Sequence, residues 1–212
     1  MNTLPSLGID PGSRNGAAVL LSPDGHTVLW WGCYATVSAG HRIKDASCAP
    51  PVTWQSFEHA VVNLSRLCWM GATAKREESY TLTVEGLFNA RGSTREAQGK
   101  RLQLLKLAES AGVLIGAFSP WSAGSVYRPK AADGRNGWRY RQLGLQAKTD
   151  ATKAEAYAVE MAPHRFTWTP EFPAHLTKVE LGAVCEAAFI AADGLTHHNS
   201  PAPKGTQDAR RR

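Results

Sequence analysis

Cysteine is scarce and scattered in this chain: Cys33, Cys48, Cys68 and Cys185 are the only four, and no two form a CxxC pair. Their spacing suggests neither a zinc knuckle nor a disulfide framework, so the thiols are expected to stay reduced. No run of about 18 or more apolar residues occurs, and the N-terminus lacks a basic stretch leading into an apolar segment, so neither a membrane span nor a secretory leader is expected. The expected location is cytoplasmic, with no membrane partner. Acidic residues are the minority charge, 18 against 24 Lys and Arg, for a formal net charge of +6. That balance favours an anionic partner such as nucleic acid. No internal repeat is present.

What is there suits one domain. With 212 residues, 43% of them hydrophobic, the chain is long enough for one sizeable core. A domain over residues 1–195 is expected, followed by a polar, Pro-containing, basic tail over 196–212 without fixed structure. Residues 7–10 and 17–21 read as strands, and "SPDG" reads as a turn into "HTVLWWGCY", which completes an antiparallel meander. "SAGHRIKDASCAPP" reads as a loop. "SFEHAVVNLSRLCWMGA" has helical spacing, and "YTLTVEGLF" alternates like a strand that delivers Glu85 at its end. Ser93 and Glu96 form a capping box for a helix closed by Gly112, after which "VLIGAF" reads as a short buried strand. Asp150 caps a helix that Pro163 stops. Thr177 and Glu180 form a second capping box for the last helix, which Gly194 closes.

Three acids stand out in this pattern. Asp10 sits where the first strand meets Pro11-Gly12, Glu85 ends a later strand, and Glu186 lies in "CEAAFIA", an apolar helix where an unpaired acid is costly. Each has a plainer reading: Asp10 as a turn residue, Glu85 as a solvated rim charge, Glu186 as an acid with a structural partner. Together they outline an RNase H-like α/β fold, a mixed five-stranded sheet with helices on both faces. Acids meeting from separate elements make most sense if they share divalent cations, Mg²⁺ or Mn²⁺. Two such ions about 3.5–4 Å apart can activate water and stabilise a leaving oxygen in phosphodiester cleavage.

"LGIDPGSR", "VEGLF", "KLAESAGVLIGA", "LGL" followed by "KTDATKAEA", and "CEAAFIA" resemble, in order, the RuvC family of Holliday-junction resolvases, particularly its phage-type branch. The resemblance implies that Asp10, Glu85 and Glu186 bind metal, that Phe88 contacts the junction beside the active site, and that Lys153 lies near the scissile backbone. It also implies a homodimer acting on four-way DNA junctions. One position departs from the pattern. Bacterial members carry two acids three apart on the last helix, and the earlier position here is Ala183. Glu180 lies one turn upstream, but the capping box already accounts for it. His175, His197 and His198 are other ligand types in the vicinity.

Residues 119–148 lack clear periodicity and hold Arg128, Lys130, Arg135, Arg139, Arg141 and Lys148 against one acid, Asp133, with Trp121, Tyr127, Trp138 and Tyr140 interleaved. Basic groups can neutralise phosphates and aromatic faces can stack on unpaired bases. Arg128, Lys130, Arg139, Arg141, Lys148 and Lys153 are therefore candidate DNA contacts, joined by Ser13 and Arg14 beside Asp10. The plainer reading has Trp121 and Trp138 packing on the core. Three functions are open: a Mg²⁺-dependent endonuclease for branched DNA, a catalytically impaired or RNA-directed nucleic-acid-binding relative, and a sugar-kinase-like or actin-like ATPase. The last would need a second Asp-Gly-rich phosphate loop, which the sequence lacks.

Overall fold

The computed structural model describes residues 4–12, 14–75, 79–86, 95–131, 133, 135–146 and 148–199, and within these the side chains of 95–102 and 199 are not described. The chain starts as a meander of β1 (Ser6–Asp10), β2 (Asn15–Leu21) and β3 (Thr27–Val37), with Leu7 opposite Leu20 and Ala17 opposite Cys33. Asp24 builds the β2–β3 turn, accepting from the Thr27 amide at 2.9 Å and its hydroxyl at 2.7 Å. Gly25 takes φ +74°, which glycine adopts without steric cost.

β2 shows why these strands read as nearly unbroken apolar runs. Ala17, Val19 and Leu21 enter one core while Ala18 and Leu20 enter the other. A strand covered on both faces has no solvent side to mark with polar residues. The first core lies under α5 (Lys178–Asn199) and α4 (Ala151–Arg165); the second lies under α1 (Phe57–Ala74) and α2 (Arg95–Phe118). Ser56 caps α1 by accepting from the His59 amide at 3.3 Å, and Asp150 caps α4 by accepting from the Thr152 amide at 3.0 Å.

β6 (Thr81–Val84) lies parallel to β1, with Leu82 beside Leu7. Beyond it residues 122–130 run parallel as an interrupted edge: the Tyr127 amide donates to Leu82 O at 3.0 Å, and the Gly86 amide donates to Pro129 O at 2.6 Å. A meander, a parallel strand added beside β1, and helices on both faces make up the RNase H-like α/β arrangement expected from the sequence.

The sheet is larger than the expected five strands. β4 (Gly40–Asp45) forms a hairpin with β3, β5 (Val52–Trp54) extends it, and the two-residue β7 (Thr167–Trp168) pairs with β3, giving seven. β4 falls in the stretch expected as a loop, residues 38–51, and β5 follows directly after it. Strand β3 is long enough to offer β4 a partner, and β4 in turn pairs β5, whereas locally "GHRIKD" has only Ile43 as an apolar anchor.

"VLIGAF" is the end of α2 and not a strand. Ala111, Leu114 and Phe118 are buried at helical spacing, and nothing stands near Gly112 and Gly116, so the helix passes its expected stop with both glycines outward. Pro163 likewise lies inside α4, in its final turn, where the helix closes with the Phe166 amide on Ala162 O at 3.0 Å. Gly194 does not end α5 either: a Cβ there would collide with Thr83, so the helix crosses β6 at that point. α5 then runs four residues past the expected domain boundary, and Tyr127 stacks on His197 with ring centroids 3.8 Å apart. The rest of the tail, and Ser93 and the side chain of Glu96, lie outside the described residues. The cysteines are free, three buried and Cys48 exposed. No helix among the described residues is long and apolar enough to cross a membrane.

Candidate active site

Asp10 is the last residue of β1. The register that pairs Ile9 with Val84, continued by the Glu85 amide donating to Ile9 O at 3.0 Å, makes Asp10 and Glu85 neighbours at the carboxyl ends of adjacent parallel strands. The chain then turns away at Pro11-Gly12. Tyr34 Oη holds that turn by donating to Gly12 O at 2.5 Å. Gly8, two residues before Asp10 and on the same face of β1, brings in the third acid. A Cβ at Gly8 would collide with the backbone of Ala187 and Ala191, so α5 rests directly on the strand and places Glu186 beside the strand ends.

Asp10 and Glu85 line a cavity of about 350 Å³ with Pro11, Gly86, Leu107, Lys130, Ala131, Arg139, Thr149 and Ala151; Glu186 reaches it through Arg139, its hydrogen-bond partner. Burial raises the Asp10 carboxyl well above the ordinary value, the charges of Glu85 and Glu186 raise it further, Arg139 opposes them, and Glu155 adds to the rise. Burial raises Glu85 against Arg139 and the Trp138 indole, which donates to Glu85 Oε1 at 3.1 Å. Glu186, 8% exposed, is pushed up to about 7, first by burial and then by Glu85 and Glu155, with Arg139 opposing. Three carboxylates drawn from separate elements thus feel one another's charge.

Arg139 is their counter-ion. Its Nη2 donates to Glu186 Oε1 at 2.7 Å, while its Nε is buried without a partner. Among the described residues no three His, Cys, Asp or Glu side chains are close enough to hold one metal ion as they stand. The donor chemistry nevertheless fits a hard divalent cation, because every donor is a carboxylate oxygen and the cation now facing Glu186 is a guanidinium that a metal could displace.

The other candidate residues divide. Lys130 is exposed and lines the cavity; Arg14, Arg128 and Lys148 are exposed. Lys153 is exposed in the first turn of α4, close in sequence to Thr149 and Ala151, which line the cavity. Arg139 and Arg141, both candidate DNA contacts, bond to acids of α5: Arg139 to Glu186, and Arg141, itself exposed, to Asp193 through Nε at 2.7 Å and Nη2 at 2.5 Å, also meeting Tyr127 Oη at 3.0 Å. The buried acids of α5 claim both guanidiniums. Ser13 and Phe88 lie outside the described residues. Trp138 is fully buried and Trp121 stacks on Trp69, so both follow the packing alternative.

Glu180 keeps to its cap, accepting from the Thr177 amide at 3.0 Å and hydroxyl at 2.9 Å, from Arg42 at 2.9 Å and from Lys44 at 2.8 Å. Burial opposes its ionisation, but these bonds outweigh that and hold it at about 2. His175, His197 and His198 are not among the residues lining the cavity. Two residues at the site escaped the sequence reading as partners of the acids. Trp138 had counted only as an aromatic and Glu155 had not been singled out; neither shows a local sign of its contact.

No protein-family model matches the chain, and no curated protein sequence does. Among solved structures it is similar to the RuvC of Thermus thermophilus, with a TM-score of 0.36 and 17% identity over 91% of this chain and 98% of that one. It is also similar to the RuvC of T. thermophilus in complex with a Holliday junction substrate, with a TM-score of 0.35 and 16% identity over 91% and 97% of the two chains.

Proposed function

We propose that the chain is a divalent-metal-dependent endonuclease that nicks branched DNA, four-way junctions included. The observation that carries this reading is the meeting of Asp10, Glu85 and Glu186, from two strand ends and a helix, beside a cavity lined by Lys130. Carboxylates gathered so closely resist joint ionisation unless cations balance them. Asp10, Glu85 and Glu186 would hold Mg²⁺ or Mn²⁺, two ions per site. The chemistry such ions supply when bound is activation of water and neutralisation of a leaving oxygen.

The chain's own groups do the rest. Asp10 and Glu85 are fixed by the strand register and Glu186 by the contact of α5 with Gly8, so a cation would have to displace Arg139 from Glu186 and draw the three acids together. Lys130 and Lys153 offer positive charge to the phosphate, and Arg14, Arg128 and Lys148 extend a basic exposed surface for the flanking backbone. Two symmetric nicks in one junction require two sites, so the working form in this reading is a homodimer.

Incubating the chain with a synthetic four-way junction and Mg²⁺ tests the reading. The wild type should nick; Asp10→Asn and Glu186→Gln should still bind and lose about 100-fold or more of the nicking rate. Binding by the wild type with no metal-dependent nicking would leave the second reading, a nucleic-acid-binding protein that does not cleave. Ala183 in place of a second helix acid, and the Arg139–Glu186 pair, favour that alternative.

A further inference from the structure

α5 carries Ala183 one turn before Glu186, buried at 6% exposure. Neighbouring Gly182 is where α4 meets α5 most tightly: a Cβ there would collide with the carboxylate of Glu155. The absence of a side chain on α5 therefore makes room for a carboxylate arriving from α4. Glu155 is half-buried and has no hydrogen bond or ion pair among the described residues. Its negative charge is nevertheless felt by both Asp10 and Glu186. Like charges brought together in this way favour a bound cation.

The local charge balance leads the same way. Asp10, Glu85 and Glu186 share one guanidinium, that of Arg139, whose Nε is itself unpartnered, and Glu155 adds a further negative charge to Asp10 and Glu186. Glu180, the other acid near this part of α5, is occupied by Arg42, Lys44 and Thr177.

We propose that Glu155, reaching past Gly182 from α4, is the fourth carboxylate of the metal site and takes the place left empty by Ala183. This rests on the reading of Asp10, Glu85 and Glu186 as a divalent-metal site. In this arrangement α4 supplies the charge while α5 keeps small residues for its contact with the sheet.

Mn²⁺ alone is the probe. Titrating the full chain with Mn²⁺ and following free ion by electron paramagnetic resonance gives affinity and stoichiometry independently of nicking. Glu155→Gln should weaken Mn²⁺ binding about tenfold or more, or remove one bound ion. Gly182→Ala, which displaces Glu155 without changing its charge, should do the same. In the Glu155→Gln background, Ala183→Glu should restore binding by returning the acid to α5. Circular dichroism verifies that each variant is folded. If Glu155→Gln and Gly182→Ala bind Mn²⁺ as the wild type does while Glu186→Gln does not, the proposal is overturned and the metal site stands. If Glu186→Gln also binds as the wild type does, the metal site itself is overturned, and the proposal with it.

Discussion

Arg139 Nη2 donates to Glu186 Oε1 at 2.7 Å, and this one guanidinium also opposes the rise that burial imposes on Asp10 and Glu85. In the metal-free chain an arginine thus serves as counter-ion to the acids proposed to bind metal. Arginine and a divalent cation would compete for the same oxygens, which makes Arg139 a stabiliser of the empty site.

Removing that guanidinium should therefore harm the chain most when no metal is present. Arg139→Gln is expected to cost about 2–4 kcal/mol of stability in chelator, the usual effect of leaving a buried charge without its partner. Saturating Mn²⁺ should recover most of that loss. Urea denaturation with and without Mn²⁺ measures both; an equal loss in the two conditions would show that Arg139 and metal do not share the acids.

The pH dependence follows from Glu186, raised from 4.5 to about 7 in the folded chain. The folded state binds this proton more tightly than the unfolded one. Its stabilising contribution is complete below about 4.5 and lost as pH rises through about 7. In chelator, stability should fall by roughly 1–3 kcal/mol between pH 5 and pH 8, and Glu186→Gln should flatten that slope. Urea midpoints across this range decide it, and a wild-type midpoint that climbs with pH would contradict the assignment.

Gly8 is the contact that lets α5 reach Asp10. Gly8→Ala should push the helix off β1, costing about 1–3 kcal/mol or more as an overpacked core. Nicking should fall further than the loss of folded chain explains, because Glu186 moves with the helix. Thermal melting beside a junction-cleavage assay separates the two effects. Unchanged cleavage per folded molecule would mean that the position of α5 tolerates the shift.

Lys130 lines the cavity with its charge exposed. Lys130→Ala should weaken DNA binding across sequences and reduce the slope of log affinity against log salt by about one. Binding isotherms at several salt concentrations give the slope directly; an unaltered slope would remove Lys130 from the phosphate contacts.

Much of this molecule can be read along the chain. The meander, the caps at Asp150 and Thr177, and the positions of Asp10, Glu85 and Glu186 all rest on local patterns: apolar runs, turn residues, capping spacing, an acid amid apolar neighbours. What could not be read rests on partners far along the chain. β4 depends on the length of β3, and α2 continues through Gly112 because Leu114 and Phe118 find a core beyond it. Its apolar run suits a strand as well as a buried helix, so only the core could choose between them.

The sequence by itself determined that Asp10 and Glu85 fall at strand ends and Glu186 on the last helix, because residue type and short-range periodicity suffice for that. Tertiary structure alone decided which charges face one another. Arg139 and Arg141 look like their basic neighbours in sequence, yet buried acids on α5 claim them, since a desolvated carboxylate gains more from a guanidinium than water offers an exposed arginine. Glu155 looks like any helix surface acid until the missing side chain of Gly182 places it among three others. That juxtaposition belongs to the packing of α4 on α5, which no spacing within either helix encodes.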